Sequence, residues 1–269
     1  MTQTQTPDSS RGWPSSGPVL VPMAPAALQR SVKEEIGALL ARDVAAQPFE
    51  ADVRSLTEAV VDVVRLDKGR AVPLLRVPSG HMLFVVEGWV SRTYTLPNGA
   101  RQITDILLPG DLRDVGPTST RETNADTCAC GPAKLAILRR KVVDSLELSA
   151  LGLLWKAHRD SEANMLRSRL ISLGRRDARE RIAHFISELH HRLHRVGLAD
   201  GGTFNCPLTQ EQFGDALGLT PVHVNRVLQR LRSEGLMIVN RPLITIEDLA
   251  RLHAIASFEG GASDADYKG

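Results

Sequence analysis

One stretch, from Leu208 to Val239, constrains this chain more than any other. Thr209-Gln210-Glu211-Gln212 has the form of a capping box, in which side chains satisfy the amides that open a helix. Leu208 before the cap and Phe213 after it are placed to close over that start as a hydrophobic staple. The helix runs to about Leu217, and Gly218 supplies a turn where positive φ is easy. Thr220 caps a second helix with Pro221 at its first position, and Gly235 ends it after about Glu234. Helices joined by so short a turn approach closely, and Gly214, four residues before the turn glycine, leaves the room. Phe213, Leu217, Leu219, Val224 and Val227 are the positions that would pack between them. This spacing is the helix-turn-helix pattern.

The residues that follow extend it. Leu236-Met237-Ile238-Val239 and Leu243-Ile244-Thr245-Ile246 read as two short strands joined by Asn240-Arg241-Pro242, the hairpin of a winged helix-turn-helix. Glu247 to Ala256 is a last amphipathic helix. Upstream, Asp177-Ala178-Arg179-Glu180 is a second capping box, opening a helix through Ile182, Phe185, Ile186 and Leu189. Gly197 to Gly202 reads as a loop. Leu148 to Leu173 reads as one long helix with an imperfect apolar stripe.

The first half differs in character. Residues 1–27 are rich in Thr, Ser, Gln, Pro and Gly and read as a disordered tail. Ala27 to Ala46 is helical in pattern, and Leu56, Val60 and Val63 suggest a second, short helix. Then come short apolar runs: Met82 to Val86, Val90 to Leu96, Arg101 to Leu108 and Leu135 to Leu138. Pro97-Asn98-Gly99 is a hairpin signal, and Pro109-Gly110-Asp111 another turn. Strands at this spacing predict a β-barrel or jelly roll. The fold class is therefore α+β: an N-terminal β-roll, a long helix and a C-terminal winged helix-turn-helix domain. The expected boundaries are 1–27 tail, 28–144 β-roll, 145–176 long helix, 177–256 winged helix-turn-helix and 257–269 flexible tail.

Composition excludes several classes. No apolar run reaches the roughly 18 residues of a membrane-spanning helix. The opening residues lack the basic and apolar regions of a secretory signal, so a cytoplasmic location is expected. Three cysteines, Cys128, Cys130 and Cys206, are too few and scattered for a disulfide scaffold. Cys128 and Cys130 form a C-x-C pair in an expected loop, open to metal binding, oxidant sensing or plain packing. Cys206, just before the helix-turn-helix, is open to the last two. His184, His190, His191 and His194 share one helix at spacings that suit zinc but lack a further ligand, which favours a surface or packing role. No metal site is expected. A net charge of +2 would not by itself propose nucleic acid binding, and residues 177–251 carry nine basic and nine acidic side chains.

A β-roll, a long helix and a winged helix-turn-helix together resemble the Crp/Fnr superfamily of bacterial transcription regulators. The resemblance covers nearly the whole chain after the tail. It rests on Glu87-Gly88-Trp89, Pro97 to Ile103, Leu108-Pro109-Gly110-Asp111, Gly174 to His184 and Leu217 to Arg226. It implies a homodimer on palindromic double-stranded DNA that recruits or blocks RNA polymerase, with no enzymatic activity. In the cyclic-AMP-binding members a Gly-Glu pair holds the ribose and an Arg-Ser pair the phosphate. Here those positions correspond to Asp114-Val115 and to the region of Ala125-Asp126, and the nearby Arg121 is followed by Glu122. A cyclic phosphate would meet carboxylates, which argues against cyclic AMP as effector. The oxygen-sensing branch carries an N-terminal cysteine cluster. No cysteine precedes Cys128, which argues against an iron–sulfur cluster. No cofactor is expected, and the effector stays open.

The same resemblance places the N-terminal turns of the Thr220–Glu234 helix in the major groove. Arg226 is the first candidate for a base, because its fork pairs with O6 and N7 of guanine. Asn225, Val222 and Pro221 share that face, and Val222 suits a thymine methyl. Thr209 and Gln210, at a helix start, suit a phosphate, as do Thr220 and His223. Arg241 at the wing tip suits the minor groove or a phosphate. Leu151, Leu154, Trp155, His158, Met165, Leu166 and Leu173 are the expected dimer seam. Two other readings stand beside this one. A degenerate regulator could act through a protein partner alone. A cupin-like metal enzyme would need several histidines inside the barrel, where only His81 is found.

Overall fold

Both faces of the first β-sheet are buried, and this explains its sequence. The computed structural model describes residues 26–42, 50–72, 81–114, 125–146, 149, 152 and 165–258. Strands β1 (Val60–Leu66), β2 (His81–Glu87), β5 (Leu112–Asp114) and β7 (Ala133–Arg139) form one antiparallel sheet in the order β1-β7-β2-β5. Strands β3 (Val90–Thr95), β4 (Arg101–Leu107) and β6 (Ala125–Ala129) form a second, in the order β4-β3-β6. Leu83, Val85, Leu135 and Ile137 point into the roll, towards Val90 and Leu107 of the second sheet. Their neighbours Phe84, Val86, Ala136 and Leu138 point outward, under helices α1 (Ala26–Arg42) and α2 (Glu50–Glu58) and the short α3 (Arg140–Ser145). A strand with two covered faces reads as an unbroken apolar run, as Leu83 to Val86 does.

The outer face of the second sheet is covered by the C-terminal half. A register shift between Arg92 and Thr93 leaves Thr104 as a bulge in β4. That extra residue lets Ile103 and Ile106, three apart, face the same way. Both join Trp89, Leu108 and Cys130 in one core with helix α5 (Ala178–Arg195). The α5 helix starts on the expected capping box, Asp177 accepting from the amides of Arg179 and Glu180. It is preceded by a helix described over residues 165–175, termed α4.

Beyond α5 come α6 (Gln210–Leu217), α7 (Pro221–Ser233) and α8 (Leu249–Ala256), with a sheet in the order β10-β11-β9-β8. The wing strands β10 (Met237–Asn240) and β11 (Leu243–Ile246) fall where expected. Strands β8 (Ala199–Asp200) and β9 (Thr203–Asn205) replace part of the expected loop at 197–202 and bring the residues after it into the wing sheet.

Two further expectations are corrected. Val60 and Val63 belong to strand β1, not to the helix that contains Leu56. Their three-residue spacing fits a helix turn, but a bulge between Val60 and Asp62 gives both a buried place in the sheet. Cys128 lies on β6 rather than in a loop. The expected tails fall largely outside the described residues, as do the first part of the long helix and the stretch 115–124. No helix among the described residues is long and apolar enough to cross a membrane.

Candidate nucleic-acid interface

The helix-turn-helix is set by caps at both starts. Thr209 accepts from the amide of Gln212 and Gln212 returns the bond to Thr209, closing the box that opens α6. Leu208 and Phe213 are buried in the same core, as the staple requires. Gly218 ends α6 at φ 64°. Thr220 accepts from the amide of His223 at 3.2 Å and Pro221 takes the first position of α7. Phe213, Leu217, Val224 and Val227 are buried between the helices, with Leu219 partly buried against them. A Cβ at Gly214 would lie 2.4 Å from the Leu219 carbonyl oxygen, so a side chain there would force the turn away from α6.

Burial on one side of α7 defines the other. Val224, Val227, Leu228 and Leu231 face the core. Pro221, Val222, Asn225 and Arg226 form an exposed strip over its first two turns, with Val222 70% exposed. Of the arginines in this half, Arg179 pairs with Glu234, and Arg192 with Asp111 at 2.5 Å. Arg181 donates to the carbonyls of Leu217 (2.6 Å), Arg176 (3.0 Å) and Leu173 (3.4 Å). Among the described residues, no hydrogen bond or ion pair engages the guanidinium of Arg226. Arg241, at the wing tip, donates to the Leu208 carbonyl at 2.9 Å and so ties the wing to the start of α6.

Residues 180–255 match the family model of the Crp-like helix-turn-helix domain. The transcriptional activator protein FnrL of Cereibacter sphaeroides is 29% identical over 174 residues, covering 62% of this chain and 69% of that protein. The nitrogen fixation regulation protein FixK of Bradyrhizobium diazoefficiens is 28% identical over 176 residues, 64% of this chain and 73% of that protein. The solved structure of FixK2 from Bradyrhizobium japonicum superposes with a TM-score of 0.60 at 25% identity, over 73% of this chain and 98% of that one. Residues 180–255 therefore form a Crp-like helix-turn-helix domain, and the chain as a whole is similar to Crp/Fnr transcription regulators. It is a DNA-binding transcription regulator in type, and its matched relatives are transcription regulators.

The junction between β-roll and DNA-binding half is densely charged. Arg192 donates to the Asp111 carboxylate and, at 3.0 Å, to the Ile106 carbonyl. Burial alone would depress the Arg192 guanidinium, but Asp111, Glu188 and Asp105 hold its pKa raised. Arg169 of α4 donates to the carbonyl of the bulged Thr104 and lies near Glu188. From the β3–β4 hairpin, Arg101 pairs with Asp215 at 2.6 Å and Glu211 at 3.3 Å, both on α6, and the bond to Asp215 raises its pKa. Gln102 donates to the Ala216 carbonyl at 3.2 Å. Sequence reading missed these contacts, because no local signal pairs residues about a hundred positions apart.

His184 shares a hydrogen bond with Ser168, and His184, His191 and His253 surround the Phe258 ring at 5.0–5.9 Å. Burial, then Arg176 and Arg169, pushes the His184 pKa down to about 4. Burial, then His194, His253 and His191, does the same to His190. Among the described residues, no three His, Cys, Asp or Glu side chains group to hold a metal ion. Burial pushes the Cys130 thiol up to about 11 and the Cys206 thiol to about 12, so thiolate is scarce at neutral pH. Of the expected dimer seam, Met165 is partly buried, and Leu166 and Leu173 are 53% and 39% exposed. Leu151, Leu154, Trp155 and His158 lie outside the described residues.

Proposed function

We propose that this regulator binds palindromic operators as a homodimer and reads bases with Arg226, Asn225, Val222 and Pro221. The observation that carries the reading is the exposed strip on the first two turns of α7, opposite the buried face. An unpartnered guanidinium suits O6 and N7 of guanine, and an exposed valine suits a thymine methyl. The amides that open α6 at Thr209 and Gln210 suit a phosphate, with Thr220, His223 and Arg241 as further contacts.

Leu166, Leu170 and Leu173 form an exposed stripe at four- and three-residue steps on α4. Water is a poor neighbour for such a stripe, and a second copy of the helix would cover it. Leu151, Leu154, Trp155 and His158 would continue the seam. In this reading residues 28–144 are the sensor half, 145–176 the dimerisation helix and 177–256 the DNA-binding domain. The bound dimer acts by recruiting or blocking RNA polymerase. Cyclic AMP is not the effector, on the ground of Asp114-Val115 and Ala125-Asp126 at the positions named above. Saturable micromolar binding of cyclic AMP in a calorimetric titration would overturn that statement.

Selection of bound sequences from random duplexes tests the whole. A palindrome with half-sites about one helical turn apart is expected, and failure to enrich any sequence would sink the reading. Arg226→Ala should then cost about 1–3 kcal/mol and relax one base pair per half-site. Equal loss on every duplex would make Arg226 a phosphate contact.

A further inference from the structure

The base-reading strip contains one side chain that is already committed. The Nε2 of Gln210, the first residue of α6, donates to Oδ1 of Asn225 on α7 at 2.9 Å. The bond spans the helix-turn-helix, from the helix start assigned to a phosphate to the face assigned to the groove. Gln210 is outside the capping box, which uses Thr209 and Gln212. Its side chain is therefore not needed to start α6.

The consequence lies in the chemistry of an amide. A free asparagine offers one acceptor and two donors, and this pairing lets it read adenine at N6 and N7 together. With the Asn225 carbonyl turned to Gln210, the group left for the groove is its NH2. That group can only donate. Guanine offers the acceptors N7 and O6 to the major groove and thymine offers O4, whereas cytosine offers the donor N4.

We propose that Gln210 is a specificity-determining positioning residue, fixing the Asn225 amide so that it presents donors alone to the major groove. The inference rests on the reading of α7 as the base-reading helix. Gln210 keeps its backbone amide for a phosphate and uses its side chain for orientation. Asn225 then favours guanine, which offers two acceptors, and disfavours cytosine, while adenine keeps a single bond at N7 and loses the two-bond pairing that an unrestrained asparagine would give it.

Substitutions at Gln210 change the polarity of the tether. Glutamate at this position can only accept, so Gln210→Glu should turn the Asn225 amide over and present its carbonyl to the groove. Gln210→Ala should leave the amide free to adopt either orientation.

The test uses the full chain and a pool of randomised duplexes. A set carrying each base in turn at every half-site position of the sequence that wild type selects then follows. Asn225→Ala identifies the position that Asn225 reads, by loss of preference there. At that position wild type should favour guanine and disfavour cytosine. Gln210→Glu should shift the preference towards cytosine or adenine by about fivefold or more, the low end of what one good base contact discriminates. Gln210→Ala should raise adenine relative to wild type. The added charge of glutamate weakens all duplexes together, so the readout is the ranking of the four bases and not the affinity. Thermal unfolding of each variant at the wild-type midpoint excludes a folding defect.

An unchanged ranking at every position in both Gln210 variants would overturn the proposal, leaving Gln210 a backbone contact. So would a ranking indifferent to Asn225→Ala. If wild type selects no sequence, the DNA reading beneath fails first. That outcome is distinct from a specific binder whose ranking does not move.

Discussion

Two seams of this molecule are built on opposite plans. Between α6 and α7 the buried part of the seam is apolar, formed by Phe213, Leu217, Val224 and Val227, with the Gln210–Asn225 bond at its exposed edge, and these residues are close in sequence. Between the β-roll and α5 an apolar floor of Trp89, Ile103 and Ile106 is overlaid with buried charge, where Arg192 meets Asp111 and Glu188. An apolar seam draws its energy from area and accepts small shifts. A buried ionic seam contributes little net stability, but it penalises every arrangement in which one charge loses its partner. The first holds a motif together, whereas the second fixes how that motif sits against the β-roll.

Acid should separate the two with the largest effect. His184 and His190 face the DNA-binding half, and their pKa values near 4 lie well below the usual 6.5. Above about pH 6.5 both rings are neutral in the folded and unfolded chain, and their contribution is complete. Below that the unfolded chain takes up protons that the folded chain refuses, so stability falls until about pH 4. The loss is about 3 kcal/mol for each ring at full burial. Urea unfolding at pH 7.5 and pH 5 should show about 2 kcal/mol of it per ring, and His190→Leu should flatten the difference.

The ionic seam is expected to give the next largest response. Arg192→Ala removes the buried cation that faces Asp111 and Glu188 and should destabilise the chain by about 3–5 kcal/mol. Replacing Arg192 and Asp111 together by Met and Leu should restore most of that loss. If the single variant costs no more than the double in denaturant titrations, the seam is not ionic in character.

The apolar seam should answer least. Gly214→Ala places a methyl against the Leu219 carbonyl and should cost about 1–3 kcal/mol, the usual range for overpacking. Calorimetry showing an unchanged melting point would mean that α6 and α7 are less tightly apposed than described.

The same contrast governs what the sequence could reveal. The helix-turn-helix is legible because its signals are local: Thr209 and Thr220 cap, Gly218 turns, and the apolar positions fall within some twenty residues. The α+β class and most β-roll strands follow from alternation and turn residues in the same way. Val60 and Val63 mislead because a bulged strand keeps a helix-like spacing. The β8–β9 pair is hidden because two glycines, Gly201 and Gly202, dominate the local reading. The junction is illegible for a different reason. Arg101 finds Asp215, and Arg192 finds Asp111, only after the chain has folded. Within the candidate interface, Gln210 and Asn225 are each readable as DNA contacts, but their bond to one another is not.

Arg181 has a mechanical consequence. Its guanidinium holds carbonyls from Leu173 near the end of α4, from Arg176 in the link to α5 and from the last residue of α6, while Leu173 rests on Gly218. The end of α4 and the turn between α6 and α7 therefore form a single rigid block. Torque applied along α4 reaches α7 without slack, and the swing of α7 is set by its distance from the α4 axis. In the proposed homodimer, a small twist of α4 would be geared into a change in the separation of the two α7 helices, with no need to deform the helix-turn-helix itself.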